Sequence, residues 1–125
     1  MPKSVPSLSG PPGRYPFSQI VEANGFVFLA GQVGNVPGQP GAVPGGIEAE
    51  TRQMLDNVGR LLRDVGLDYA DVVKATVYLR DFSEFGAMNA AYREFFPSEP
   101  PTRATVGVTA LAEDFRVEIE VLATR

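Results

Sequence analysis

The sequence predicts an α+β fold in which two helices lie on one face of a mixed β-sheet. Five segments have the branched, aromatic or alternating pattern that is typical of strands, and two have apolar residues at three- and four-residue intervals, as in amphipathic helices. In chain order these segments give β-β-α-β-α-β-β, which places both helices most simply on the same face of the sheet. A chain of 125 residues supports one core, so residues 1–125 are predicted to form a single domain.

Residues 15–22 and 26–32 are predicted to be the strands of a β-hairpin. Both are rich in aromatic and branched residues, and the Ala-Asn-Gly sequence between them is a strong tight-turn signal. Residues 34–46 then combine closely spaced prolines and glycines with no periodicity, which predicts a long loop. Two roles are open to this loop: the rim or lid of a site, or a tolerated surface insertion.

A long amphipathic helix is predicted from Ile47 to Val65, with Gly66 as its C-terminal cap. At about 1.5 Å per residue it would cross a whole small sheet. Residues 71–80 are predicted to form the third strand. One of its faces would carry Val73, Ala75, Val77 and Leu79.

A second helix is predicted after this strand, with Asp81 or Ser83 as its N-terminal cap. Its apolar stripe ends at Pro97, and the stripe is interpreted as core rather than as a ligand-stacking surface. The stripe consists of Phe85, Met88, Tyr92 and either Phe95 or Phe96.

The fourth strand contains Arg103 and begins after a pair of prolines, which fix the approach of the chain and donate no hydrogen bonds to a sheet. Arg103, Thr105 and Gly107 share one face of this strand. The other face carries Ala104, Val106 and Val108. An arginine on the less bulky face could reach into a cavity or lie in solvent.

The last strand, residues 115–123, alternates strictly between apolar residues and the series Arg116, Glu118, Glu120 and Leu122. The sheet face away from the helices is then predicted to carry Thr76, Tyr78, Arg103 and Glu118. Such a mixed apolar and charged face is explained by cover from another subunit. The alternative is an open, solvated face, as many small antiparallel sheets have.

The composition excludes several kinds of site. The chain has no cysteine and no histidine and a net charge of −4, which removes thiol nucleophiles, imidazole bases and the usual zinc ligands. Its basic residues are scattered, which argues against a nucleic-acid surface. The acidic pairs Glu48/Glu50 and Glu113/Asp114 lack metal-loop spacing and are interpreted as solvated charges. No segment has the features of a membrane span or a signal peptide, so a cytoplasmic protein is expected.

Six segments together resemble the Rid (YjgF, reactive intermediate deaminase) family, in the family's order and over essentially the whole chain. They are YPFSQ, AGQV, LDNVGRLL, DVVKATVYLRDFSEFGAMNAAYREFF, PPTRATVGV and VEIEVLA. The combination is specific, whereas any one of these pieces is common. The resemblance implies a chorismate-mutase-like α+β fold, a homotrimer, and three clefts between subunits that bind small carboxylated imines or enamines.

The resemblance also implies roles for individual residues. Arg103 matches the arginine that binds the substrate carboxylate, and a guanidinium suits this task because it offers a rigid fork of donors. Glu118 matches the glutamate that holds and activates the hydrolytic water. Gly31 lies where a backbone N–H approaches the ligand, and Asn89 lies in the N-x-x-Y segment that lines the cleft. Without the resemblance, Arg103 and Glu118 would be interpreted as an interface ion pair.

Three positions differ from the pattern of the deaminating members that the chain resembles. Phe17 stands where they have tyrosine, and Ala30 stands where they have serine, so two hydroxyl groups are lost. Thr105 replaces a frequent cysteine. Tyr15 shares a face with Phe17 in an extended chain and could supply a phenol from a different place. The expected pocket is drier than that of the relatives.

Three functions compete on this evidence. The first is hydrolysis of small 2-imino or 2-enamino acids to 2-keto acids and ammonia, with Arg103 and Glu118 as catalytic residues and without a cofactor. The second is a binding or regulatory module that holds a carboxylated metabolite without converting it, which the missing hydroxyls favour. The third, a ribonuclease or translation inhibitor, is the least favoured because of the charge and the absence of histidine.

Overall fold

The computed structural model describes residues 2–8, 13 and 15–125. The strands are β1 (Ile20–Ala23), β2 (Phe26–Leu29), β3 (Gln32–Val33), β4 (Val72–Leu79), β5 (Thr102–Gly107) and β6 (Val117–Thr124), and the helices are α1 (Gly46–Asp64) and α2 (Phe85–Arg93). The strands form one mixed sheet in the order β1-β2-β6-β4-β5, and β3 also pairs with β6. β4 and β5 are parallel, while the other pairs are antiparallel. The predicted fold class is confirmed.

Both helices cover the same face of the sheet, as predicted. The core between the layers contains residues of both helices and of the central strands, including Met54, Leu55, Val58, Leu62, Met88, Val77, Leu79, Val117 and Ile119. Each of these side chains is removed from water, and burial of a side chain of this size contributes about 1.5–3 kcal/mol. Among the described residues, no helix is both long enough and apolar enough to cross a membrane.

The hairpin forms as predicted, but its strands are shorter than the sequence pattern indicates. β1 begins only at Ile20, because residues 15–18 turn: the N–H of Phe17 donates to the carbonyl of Tyr15 at 2.8 Å. The second predicted strand is divided into β2 and β3. The interruption lies at Ala30 and Gly31, where the chain passes under the side chain of Glu118.

The loop between β3 and α1 is fastened at its base. The side-chain amide of Asn57 on α1 donates to the carbonyls of Val33 at 2.9 Å and Asn35 at 2.8 Å. The N–H of Val43 donates to the carbonyl of Gly34 at 2.9 Å, which closes the loop on itself. α1 itself ends as predicted, since Gly66 has a φ of +78°, a left-handed conformation that glycine adopts without strain.

The faces of β4 differ from the prediction at the start of the strand. Val72 is buried with 5% exposure and Val73 is 39% exposed, the reverse of the expected order. The pairing of β4 with β6 shifts register between Val72 and Lys74. This irregularity reverses the faces to which Val72 and Val73 point, and the alternation is regular from Ala75 onward. Asp81 is the cap of the short 3-10 turn before α2, where it accepts from the N–H of Ser83 at 3.0 Å.

The prediction that Arg103 shares a sheet face with Tyr78 and Glu118 is wrong. In the parallel register, Arg103 pairs with Ala75 and Thr105 pairs with Val77, and both β4 residues point to the helices. The apolar face of β5 therefore points away from the helices, and Val106 is 40% exposed there. The usual rule that the apolar face of a strand meets the core fails because Arg103 has its partners on α2.

Candidate functional site

Arg103 is held by three side chains of α2. Its Nη2 donates to Oδ1 of Asn89 at 2.7 Å. Its guanidinium carbon lies 4.7 Å from the ring centre of Tyr92 and 5.6 Å from that of Phe85. Both distances are in the range of cation–π attraction. The guanidinium is thus oriented by neutral groups before any ligand binds.

No carboxylate of the described residues pairs with Arg103. The ion pairs in this part of the chain use other arginines. Arg103 is only partly exposed and lies beside a cavity of about 280 Å³. A cation that is positioned by neutral partners and faces a cavity can bind an anionic ligand through two parallel hydrogen bonds.

The rings of Phe85 and Tyr92 were predicted to belong to the core, and their contact with Arg103 was missed. Tyr92 is indeed buried and belongs to the core cluster. The signal was present in the spacing, because Phe85, Asn89 and Tyr92 lie on one face of a helix. Asn89 is the polar residue on that face, and it is the one that binds Arg103.

Glu118 lies on the opposite face of the sheet, with its carboxylate against the backbone of Gly31. A methyl group on Gly31 would overlap with Oε2 of Glu118, so a larger residue there would displace the carboxylate from the backbone. Gly31 and Glu118, which were both predicted to belong to the cleft, are therefore neighbours in the structure. Val33 pairs with Glu118 across β3 and β6, and Tyr78 pairs with it across β4 and β6.

The surroundings of Glu118 favour its protonated form more than water does. The side chain of Glu118 is half-buried. This partial burial raises the pKa of Glu118, and the negative charge of Glu120 raises it further. Glu120 lies on the same face, as predicted, and accepts a hydrogen bond of 2.5 Å from the hydroxyl of Tyr78. Glu118 is thus a carboxyl group that can both take up and release a proton closer to neutral pH than an ordinary glutamate.

Glu50 is a buried carboxylate that was wrongly interpreted as a solvated charge. It is 2% exposed, and its Oε1 accepts from the backbone N–H of Arg116 at 2.6 Å. Burial raises the pKa of Glu50, and the hydrogen bonds from the N–H groups of Arg116 and Val117 oppose the rise. This contact ties α1 to the start of β6, two residues before Glu118. The signal was its position on the apolar face of the helix, four residues before Met54.

The interpretation of the other three acidic residues holds, since Glu48, Glu113 and Asp114 are exposed. Among the residues that the structure describes, no group of three or more acidic, histidine or cysteine side chains could hold a metal ion.

The remaining predicted site residues lie in two places. Thr105 is two residues after Arg103 on the same face of β5 and is half-buried. Ala30 precedes Gly31, and its N–H donates to the carbonyl of Gln19 at 2.8 Å. Phe17 is 55% exposed and stacks on Tyr15 with 6.1 Å between the ring centres. Within the described part of the chain, no hydrogen bond or ring contact joins Phe17 to Arg103 or Glu118.

The predicted residues thus form two groups in one copy of the chain. Arg103, Asn89 and Thr105 lie on the helix side of the sheet, and Gly31 and Glu118 lie on the open side. β4 separates β5 from β6. β5 and β6 are therefore about 9.6 Å apart across the sheet, and the positions of Arg103 and Glu118 along the strand direction differ by about 10 Å.

Comparison with known proteins gives a consistent result over almost the whole chain. Residues 9–125 match the family model described as Endoribonuclease L-PSP. The 2-iminobutanoate/2-iminopropanoate deaminase of Capra hircus is 39% identical over 121 residues, which are 97% of this chain and 88% of that protein.

Two solved structures have the same fold. YyfA of Yersinia pestis, described as a conserved Rid family protein of unknown function, has a TM-score of 0.90 at 32% identity, with 99% of this chain and 100% of that chain covered. E. coli TdcF with bound serine has a TM-score of 0.85 at 32% identity, with 97% of both chains covered. On this evidence the chain belongs to the Rid family, the family of the endoribonuclease L-PSP model.

Proposed function

We propose that this protein hydrolyses small 2-imino acids, and their 2-enamino tautomers, to 2-keto acids and ammonia. The observation that carries the proposal is the setting of Arg103, a guanidinium that neutral side chains orient and that no carboxylate of the described residues neutralises. The relative from Capra hircus, which is a 2-iminobutanoate/2-iminopropanoate deaminase, supports the reaction. The serine bound to E. coli TdcF supports a small ligand that carries a carboxylate.

Arg103 would bind the carboxylate of the substrate. Asn89 already accepts from Nη2, which fixes the plane of the guanidinium and reduces the entropy lost when the ligand binds. The substrate imine is electrophilic without a cofactor, so the protein has to supply position and proton transfer.

Glu118 would act on the water. As a carboxylate it takes a proton from the water as the oxygen attacks the carbon of the protonated imine, which forms a neutral tetrahedral amine alcohol. The same carboxyl group then gives that proton to the nitrogen and takes the proton of the new hydroxyl group as the C–N bond breaks, so that ammonia and the keto acid leave. The raised pKa of Glu118, caused first by burial and then by Glu120, brings its two protonation states closer in free energy. The N–H of Gly31 would bind the ligand beside it.

Arg103 and Glu118 of one copy cannot reach the same small substrate, because they lie on opposite faces of the sheet. The site would therefore combine Arg103 of one copy with Glu118 of the next. Such an interface joins two different surfaces, and successive copies close into a ring. A homotrimer, which the resemblance implies, is the ring that we propose. Exposed Phe26 and Phe28 on the open face, at 45% and 47%, would be covered in it.

A coupled assay tests the reaction most directly. 2-Iminobutanoate is generated in place by an amino-acid oxidase, and its conversion is followed with and without the protein. We expect the protein to accelerate the conversion and the Glu118→Gln variant to lose that acceleration. If the wild-type protein binds keto acids but accelerates nothing, the carboxylate-binding module is the better account. Light scattering that finds a stable monomer at micromolar concentration would contradict the shared site.

A further inference from the structure

The cavity beside Arg103 contains a second arginine. Its lining includes Asn89, Tyr92, Arg93, Phe96, Pro101 and Arg103. Its volume of about 280 Å³ is near the lower end of the range for small-molecule sites, about 300–1,000 Å³, which leaves room for a small dicarboxylic acid.

Arg93 is close enough to Arg103 for one ligand to reach both. Asn89, which binds Arg103, and Arg93 are four residues apart on α2, so their side chains are neighbours on one face of the helix. The ring of Tyr92 lies between them in sequence and contacts the guanidinium of Arg103.

The charge of Arg93 is not neutralised within the described residues. None of their ion pairs includes Arg93. The adjacent Glu94 is occupied by Arg52, which binds it through Nε at 3.0 Å and Nη2 at 2.8 Å. Two guanidinium groups thus line one cavity without a carboxylate partner among the described residues.

A buried polar group adds to the same wall. Tyr92 is 6% exposed, and within the described part of the chain its hydroxyl has no hydrogen-bond acceptor. Burial raises the pKa of Tyr92, and the charge of Arg103 and a hydrogen bond from its guanidinium oppose that rise. A hydroxyl in this state can donate to an acidic ligand at little cost.

We propose that this cavity selects ligands with two carboxylates, a 2-imino or 2-oxo dicarboxylic acid, which Arg103 binds at the 2-position end and Arg93 at the other. The proposal rests on the carboxylate-binding role of Arg103 given above and adds the substrate class. Arg93 is then a specificity-determining residue, because a ligand with a single carboxylate makes no use of it.

A purely structural role for Arg93 makes a different prediction. As the basic residue in the last turn of α2, it stabilises the negative end of the helix dipole. Arg63 has the same place in α1 and does not line the cavity. Arg63→Gln is therefore a control with the same change of charge at a helix end, and it also removes the ion pair of Arg63 with Asp68.

Isothermal titration calorimetry at one ionic strength tests the proposal with two stable probes of equal chain length, 2-oxoglutarate and 2-oxopentanoate. We expect wild-type protein to bind 2-oxoglutarate more tightly by roughly threefold to tenfold, between the effects of an exposed ion pair and a charged hydrogen bond. Arg93→Gln should remove this preference without changing the Kd of 2-oxopentanoate. Arg93→Lys should retain part of it, and Arg63→Gln all of it.

Each other outcome has a definite meaning. If both probes bind wild-type protein equally, if Arg93→Gln keeps the preference, or if Arg63→Gln removes it as fully as Arg93→Gln does, selection by Arg93 is overturned while the role of Arg103 stands. If neither probe binds, both the selection and the carboxylate site of the proposed function fail. Imine turnover does not enter the measurement, so an inactive protein can still support the selection.

Discussion

Arg103 and Glu118 lie on opposite faces of one sheet, and their surroundings hold them in different ways. Arg103 is fixed by an amide and two aromatic rings on a rigid helix, and its charge has no carboxylate partner among the described residues. Glu118 lies against the backbone of Gly31 and beside a second carboxylate, Glu120, which raises its pKa together with burial.

The difference matches two different chemical tasks. A group that binds a carboxylate has to keep its charge and its direction, and neutral partners provide both without competing for the ligand. A group that moves protons has to exist in two protonation states. A like charge nearby reduces the free-energy difference between the two states near neutral pH. In the proposed mechanism each face of the sheet supplies one half of a site, and the two halves come from different copies.

Glu118→Gln should cause the largest loss. The amide keeps the shape but neither takes up nor releases the proton, so turnover of 2-iminobutanoate should fall roughly 10²–10⁴-fold. The Kd of 2-oxobutanoate should change little. Glu120→Gln is the control on the same strand face and should keep most of the activity. If turnover by Glu118→Gln equals that of wild type, Glu118 has a structural role only.

Arg103→Ala should mainly remove ligand binding. Two charge-assisted hydrogen bonds of about 1.5–3 kcal/mol each correspond to at least about a hundredfold in Kd for 2-oxobutanoate. Arg103→Lys should recover part, because an ammonium group does not reproduce the two-pronged contact. Arg80→Ala removes an exposed arginine elsewhere and should leave the Kd unchanged. Equal affinity of wild type and Arg103→Ala in calorimetry would place the carboxylate elsewhere.

The double change Phe17→Tyr and Ala30→Ser should raise the rate of 2-iminobutanoate hydrolysis. Each restores a hydroxyl that the deaminases which the chain resembles carry. A hydrogen bond used in the transition state contributes about 1 kcal/mol or slightly more, hence roughly tenfold in rate for each change. The coupled assay measures this directly. An unchanged rate would show that these hydroxyls do not limit catalysis in this chain.

The pH dependence of kcat/KM should distinguish the proposed catalytic group, Glu118, from the neighbouring negative charge of Glu120. In the proposed mechanism the carboxylate of Glu118 activates water, so activity should fall on acidification through its pKa, which burial and the charge of Glu120 raise above the ordinary value for glutamate. Glu120→Gln removes a negative neighbour, so this pKa should decrease and the acid limb should move to lower pH. Glu113→Gln removes an exposed charge on a loop and should leave the limb in place; an identical shift in both variants would contradict the assignment.

The sequence pattern predicted the elements well because each depends on local spacing. The α1 periodicity, the Gly66 cap and the alternation of β6 are properties of neighbouring residues, and the structure confirms them. The extra strand β3 and the late start of β1 were missed. They follow from the approach of Glu118 to Gly31 and from the turn at Phe17, which involve contacts that spacing does not encode.

The site was predicted as a set of residues but not as an arrangement. A strand with Arg103 on one face and Val106 on the other suggests that the valine points inward, and only the register with β4 shows the opposite. Glu50 is similar, since its carboxylate is buried because the N–H of Arg116, 66 residues away, binds it. Long-range pairing decides such cases, and local propensity does not.

The central claim is that one site takes Arg103 from one copy and Glu118 from another, and mixing two inactive variants tests it. Arg103→Ala and Glu118→Gln chains are refolded together in equal amounts, and mass spectrometry confirms that they assemble with each other. In a ring with random mixing, about one site in four then has both residues, so roughly a quarter of the wild-type deaminase activity should return. If mixed assemblies form and remain as inactive as their parents, the two residues do not share a site across copies.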